Sequence, residues 1–451
     1  MSIQRLRPGV YIELMAKAKE RILPKSGIVC IPYVGEYGKP NEPVLVSGYE
    51  ERMKETLGLI DSIELAAESG PTLLLYRICD SAAQTAKFTQ ANSFEISAKY
   101  PGLEGNKLSI TVQNSTAEPG KKEVVIKHTE LGFTHKLSVA GVDELVEKTA
   151  NLDYVAQAKK LGNDAIADVV ATTFAGGTTG KPASLTSTHF TKLFSDINGA
   201  DFDALYLPSA DAAIQASAKQ FVSDRRTQSQ KLSTLVIGGS SNTDVDMEKH
   251  IERSVAMNER YIVNSAISGL HVNGKTYSSL EFAAWVAGLI AATPAHISLT
   301  ALPIPLKKAT KDFGQSEIMK GLANGVLMAT RDGYSYIIES AVNTLSVLHT
   351  GEREDFGKIR VSMTLDQVMN DLVSVGKKYK GKLSNNDIGR ATFIAAAKSY
   401  LDERVRQSAL AAGANVTESP DLESFGDTAY FRVSAQPLDA IEVFTIGWEV
   451  L

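Results

Sequence analysis

Hydrophobic and polar positions divide the chain into stretches of different texture. Val10, Tyr11, Ile12, Glu13 and Leu14 alternate as a short strand does, yet a charged stretch with Lys17, Lys19, Glu20 and Arg21 separates them from the next apolar run. This predicts an isolated strand near one end of the chain. Residues 28–34 and 72–79 are apolar runs of strand length, and residues 49–57 and 61–68 between them have helical spacing, so the chain opens as β-α-β. From about residue 94 to 173 the runs become short and alternating, at 94–98, 107–113, 123–127 and 135–139, with one helical stretch at 142–149. Gly, Pro and Asn separate them, a texture that predicts a small, mostly antiparallel module inserted in an α/β domain.

Strand and helix then alternate again, at 204–207, 210–227, 232–237, 245–255, 261–263 and 278–292. This predicts a layered α/β domain with helices on both faces of its sheet. The longest apolar stretch, 282–292, is about half the roughly 20 residues of a membrane span; it reads as a buried helix and predicts no membrane insertion. Two long helical patterns follow, 365–379 and 386–407, and in the second Ile388, Ala391, Ile394, Leu401 and Val405 make the expected buried stripe. Strand-like runs at 429–435 and 441–450 close the chain. The fold class is α/β with mixed α+β character. The expected division is an N-terminal arm at 1–22, a core at 23–92 and 177–345, an inserted β-rich domain at 93–176, and a C-terminal domain at 346–451 with an arm at 437–451.

The last run poses a physical problem. Phe444, Ile446, Trp448 and Val450 make one apolar face of a strand, while Ile441 and Val443 begin another. A terminal strand apolar on both faces aggregates if left unpaired, so it must be covered in the working state. Val10 to Leu14 raise the same question. Both segments can pair inside their own subunit or add a strand to a neighbour, and head-to-tail exchange of the second kind builds rings or helical filaments.

Composition narrows the choice of chemistry. With 451 residues, 43% hydrophobic and 22% charged, the chain is long enough for a large core and unlike disordered or fibrous sequences. It has 47 Lys and Arg against 52 Asp and Glu, a net charge of −5 that argues against a large phosphate-binding surface and against nucleic acid as a direct partner. Cys30 and Cys79 sit inside apolar runs and suit buried positions, and the seven dispersed histidines make no metal-ligand spacing. Residues 1–21 lack the continuous apolar core of a signal peptide, so intracellular synthesis is expected.

Two glycine-rich loops are the remaining candidates for chemistry. Ala175-Gly-Gly-Thr-Thr-Gly-Lys181 has the setting of a phosphate loop, but Ala175 and Pro182 stand where Gly and a hydroxyl residue are needed. Pro182 suits the first turn of a following helix. Gly238-Gly-Ser-Ser241 follows a strand and precedes a helix, where anions bind, yet it lacks both the dinucleotide fingerprint and the nucleophile elbow. No catalytic, cofactor or metal residue is assigned; a nucleotide-dependent α/β enzyme using these loops is the competing reading.

Several short motifs, in order along nearly the whole chain, resemble the tail sheath proteins of contractile-tailed bacteriophages and phage-tail-like bacteriocins. They are Arg7-Pro-Gly-Val-Tyr-Ile-Glu13, Tyr100-Pro-Gly-Leu-Glu-Gly-Asn106, Phe174-Ala-Gly-Gly-Thr-Thr-Gly180, Asn343-Thr-Leu345 within 337–345, and Pro437-Leu-Asp-Ala-Ile-Glu442. Size and domain order are similar to the versions from Gram-positive hosts. The resemblance implies a non-enzymatic subunit without cofactors, polymerised as stacked hexameric rings around a tail tube. It would be assembled in the host cytoplasm and built into the virion or bacteriocin tail, with tube, baseplate and tail terminator proteins as partners. It also implies that Val10 to Leu14 and about 441–450 are arms that add strands to neighbours' C-terminal domains, and that the inserted module faces outward. Lys377, Lys378, Lys380, Lys382, Arg390, Lys398, Arg404 and Arg406 become the candidates for tube contact, through charge complementarity to an acidic tube. The sheath subunit of a related contractile secretion system shares this expectation of fold.

Overall fold

The computed structural model describes residues 27–449, in which the chain folds as a mixed α/β protein with ten α-helices. A seven-stranded sheet lies at its centre. From edge to edge its strands are Val326–Leu327, Ile262–Ser265, Thr234–Gly238, Ala204–Tyr206, Ile28–Tyr33, Thr72–Arg77 and Pro43–Val46, all parallel except the last. Ile28–Tyr33 pairs on both sides, Val29 with Ala204 and with Leu73, which accounts for its unbroken apolar run.

Alternate side chains of these strands feed two cores. Val29, Ile31, Leu73, Leu75, Tyr206 and Val236 pack with helices Asp61–Ala67 and Ser279–Ala292, while Cys30, Leu74, Leu205, Leu235 and Ile237 pack with Phe190, Leu193, Ile197 and Val222 on the other face. Helices therefore cover both faces. Ser279–Ala292 is apolar nearly all round because it is buried nearly all round, and a Ser278–Glu281 capping box starts it. A Cβ on its Gly288 would lie 2.0 Å from the Ala66 carbonyl oxygen, so only glycine lets the two helices approach this closely. No described helix is long and apolar enough to cross a membrane.

The antiparallel module has its own core. Val169–Thr173, Leu108–Asn114, Lys122–His128 and Thr134–Val139 form a four-stranded sheet, backed by helix Val142–Thr149 and a three-stranded sheet with Phe94–Ser97 at its centre. Its entrance and exit are stitched together, since Lys87 N–H donates to the Ala175 carbonyl at 2.8 Å and Ala175 N–H returns to Lys87 at 2.9 Å. At the junction with the main sheet Arg77, buried, donates to the carbonyls of Gly35, Gly38 and Pro101 at 3.0, 2.9 and 2.6 Å. Two of the sequence motifs lock each other there: Asn106 and Gly177 exchange two hydrogen bonds, both 2.9 Å.

Beyond the sheet, two three-stranded sheets contain Gly269–His271 and Ser335–Ile338, and then come helices Ile359–Tyr379 and Asp387–Arg406 and the hairpin Asn415–Glu418/Phe431–Ser434. Asp366 ties the first long helix to the α/β body, accepting from Arg226 at 2.7 and 2.6 Å and from Arg260 at 2.9 Å. Three sequence expectations are corrected here. Leu401 is buried and Ile394 and Val405 are half-buried, but Ile388 is 78% exposed and Ala391 is exposed as well. Phe393, in contact with Phe431 at 4.5 Å between ring centroids, turns the helix so that Phe393, Ala397 and Leu401 face inward. Pro182 precedes its helix rather than starting it; Ser187–Ile197 begins after Thr186, whose N–H donates to His189 Nδ1. Finally, 441–449 has no regular structure and pairs with no strand among the described residues.

Candidate assembly interface

The C-terminal segment is docked at its root and bare beyond it. Leu438 N–H donates to the Ala409 carbonyl at 3.0 Å, and Ala411 N–H to that of Gln436 at 2.8 Å. Glu442 then enters a polar recess, where its carboxylate accepts from Thr300 Oγ1 at 2.7 Å, Ser340 Oγ at 2.9 Å and Lys358 Nζ at 2.6 Å. Burial opposes its charge, but hydrogen bonds from Lys358, Thr300 and Ser340 outweigh that and hold the carboxyl below its ordinary value. Past this point Val443, Phe444, Ile446 and Trp448 are 81, 76, 85 and 88% exposed, and Ile441 is exposed too. Val450 and the N-terminal Val10, Tyr11, Ile12, Glu13 and Leu14 lie outside the described residues.

A two-stranded hairpin lies in the same domain. The hairpin Asn415–Glu418/Phe431–Ser434 has only two strands, and both outer edges are unpaired among the described residues. Val416 and Phe431 pack one face against Leu401 and Phe393, and Val433, opposite Val416 on that same face, is left exposed. Two free edges on a half-covered hairpin offer main-chain donors and acceptors to two further strands.

The eight basic candidates separate into two groups. Lys377, Lys378, Lys380 and Lys382, at and after the end of helix Ile359–Tyr379, are exposed and make no ion pair among the described residues. The positions on the following helix are largely matched within the chain. Arg390 pairs with Asp387 and Glu418, Lys398 with Asp402, and Arg406 with Glu403, while Arg404 lies over the Tyr400 ring. The free positive charge therefore sits on the lysine turn, not along the helix.

Both glycine-rich loops are filled by the chain's own groups. Glu36 accepts from Thr179 Oγ1 at 2.9 Å and from Gly180 N–H at 3.3 Å, with Lys181 Nζ at 3.8 Å, so a resident carboxylate occupies the position a phosphate would need. At the second loop Gly239 N–H donates to Ser279 Oγ at 2.9 Å, and Ser279 in turn donates to Asp244 at 2.5 Å. Among the described residues no group of three or more His, Cys, Asp or Glu is placed to hold a metal ion.

Two family models match the chain. Residues 183–344 match the phage tail sheath protein central domain, and residues 352–450 the phage tail sheath C-terminal domain. The chain belongs to the phage tail sheath family. As a sheath chain it is a structural subunit of a contractile tail. It is 24% identical over 483 residues to the phage-like element PBSX protein XkdK of Bacillus subtilis (strain 168), covering 99% of this chain and 98% of that one. A sheath tail protein of Desulfitobacterium hafniense has the same fold, with a TM-score of 0.74 at 21% identity over 96% of this chain and 97% of that one. The helical sheath of the anti-feeding prophage in its contracted state is more distant, with a TM-score of 0.52 at 10% identity over 99% of both chains.

Sequence reasoning did not find the Glu442 recess. Glu442 was legible as part of a family motif, but Thr300, Ser340 and Lys358 lie 142, 102 and 84 residues away and nothing local marks them.

Proposed function

We propose that the chain polymerises as stacked hexameric rings around a tail tube, in the tail of a phage or tailocin of a Gram-positive host, and contracts to drive the tube through a bacterial envelope. The observation that carries this reading is the bare apolar segment 443–449 in the same domain as a hairpin whose two outer edges are unpaired among the described residues. One edge takes the C-terminal arm of one neighbour and the other takes Val10 to Leu14 of another, a head-to-tail exchange that leaves an unpaired surface on the last copy and so continues along a filament. Baseplate and terminator proteins cap its two ends. Lys377, Lys378, Lys380 and Lys382 face the tube protein, where exposed charge sets register without the desolvation cost of a buried pair. The antiparallel module projects outward. Contraction needs no bond chemistry: the extended lattice is metastable, and the contracted one packs more surface between subunits. The particle is assembled in the host cytoplasm and released as part of the tail.

Deleting Asp439–Leu451 tests the reading. The truncated chain is expected to stay folded and monomeric while the full chain forms striated hollow cylinders in negative-stain micrographs. Cylinders of normal length from the truncated chain would refute strand exchange by the C-terminal arm.

A further inference from the structure

The recess around Glu442 joins two halves of the molecule. Thr300 and Ser340 belong to the central body, whereas Lys358 immediately precedes helix Ile359–Tyr379 of the C-terminal domain. Ser340 and Thr300 are also held by groups other than Glu442. Lys358 Nζ also donates to Ser340 Oγ at 2.7 Å, which turns the serine proton toward Glu442, and Thr300 Oγ1 accepts from Ala341 N–H at 2.9 Å, which directs its own proton the same way. Among the described residues from 439 to 449, Glu442 is the one side chain that hydrogen-bonds to the body.

We propose that Thr300, Ser340 and Lys358 form a carboxylate receptor that seats Glu442, fixes where and in what direction the C-terminal arm leaves the body, and delivers tension in the arm to the joint between the central and C-terminal domains. Charge-assisted hydrogen bonds from three directions resist displacement along any one of them. A main-chain contact at Leu438 alone leaves the next four residues free to swing. Glu442 is thus a positioning residue for the arm, and its neighbours Val443 and Phe444 start the apolar segment from a defined point. The load-bearing part of this inference rests on the arm pairing with a neighbour; the seating of Glu442 does not.

The seating is tested on full-length monomer carrying a nitroxide at Thr445→Cys, an exposed position three residues past the receptor. Cys30 and Cys79 are buried, so labelling is selective. Glu442→Gln removes the charge at nearly constant size, and Lys358→Met removes its partner. Each is expected to shorten the label's rotational correlation time several-fold while the melting curve keeps a cooperative transition. An unchanged line shape in the folded Glu442→Gln protein overturns the proposal. In assembled sheath, Glu442→Gln is expected to give contracted cylinders broken into short pieces; intact cylinders overturn the load-bearing role. The two readings fail separately. Polymerisation of the Asp439–Leu451 deletion would remove strand exchange and leave the line-shape result standing, whereas an unchanged line shape in a polymerising Glu442→Gln protein would remove the receptor and leave strand exchange.

Discussion

At the scale of single residues, the polar groups inside this protein act as fasteners. His250 shows how such a fastener responds to pH. It is fully buried, its Nδ1 accepts from Arg253 at 2.6 Å, and its Nε2 faces the Asp244 carbonyl at 3.4 Å. Burial, helped by the Arg253 charge, pushes the imidazole down from 6.5 to about 4. Between those values the unfolded chain binds a proton that the folded chain does not, so stability is full above the ordinary histidine range and falls as pH drops toward about 4. The complete loss from this one group is on the order of 3 kcal/mol. Melting curves across that window are expected to show a shallower pH dependence for His250→Gln than for the natural protein; equal slopes would remove His250 from the account. The partners of these fasteners were not legible in the sequence. Nothing local marks the partners of Arg77, Asp366 and Glu442, because they come from distant segments.

At the scale of elements, legibility followed burial pattern. The parallel strands Ile28–Tyr33, Thr72–Arg77 and Thr234–Gly238 were readable because burial on both faces demands unbroken apolar runs. The module's strands were readable for the opposite reason, since one covered face leaves an alternation. Strands such as Thr276–Tyr277 and Pro303–Ile304 were not, because two residues carry no period and long-range pairing alone defines them. Helix Asp387–Arg406 was found but its inward face was misjudged, since small alanines on several sides leave the stripe ambiguous until Phe393 selects it. The corrected face makes a direct prediction. Leu401→Ala is expected to cost about 2–5 kcal/mol, and Ile388→Ala to stay within about 0.5 kcal/mol, in chemical denaturation. Equal losses at the two sites would contradict the orientation.

For the whole molecule, charge is the quantity that assembly tests. A net −5 spread over 451 residues lets copies approach without strong mutual repulsion. Most of the basic positions on the C-terminal helix are already matched, which leaves the lysine turn as the unmatched group among the eight candidates. Changing Lys377, Lys378, Lys380 and Lys382 together to Glu is expected to leave the melting temperature of the subunit nearly unchanged and to abolish co-sedimentation with tail tube. Normal co-sedimentation would take the lysine turn out of the tube interface. The body and its C-terminal domain were visible in the sequence as changes of texture. Their coupling through Asp366 was not.

The stitch between Lys87 and Ala175 has a consequence for how the chain finds this fold. The main sheet must bring Ala204–Tyr206 beside Ile28–Tyr33 across a long excursion of chain, and closing a loop of that length is entropically unfavourable. Once the module has condensed on its own core, its two ends are held side by side, and the excursion of 34–203 shrinks to about half, 34–86 and 176–203. Because closure cost grows with the logarithm of loop length, a halving is worth about 0.6 kcal/mol. The module would then act during synthesis as a splint, formed early and locally, across which the central strands meet.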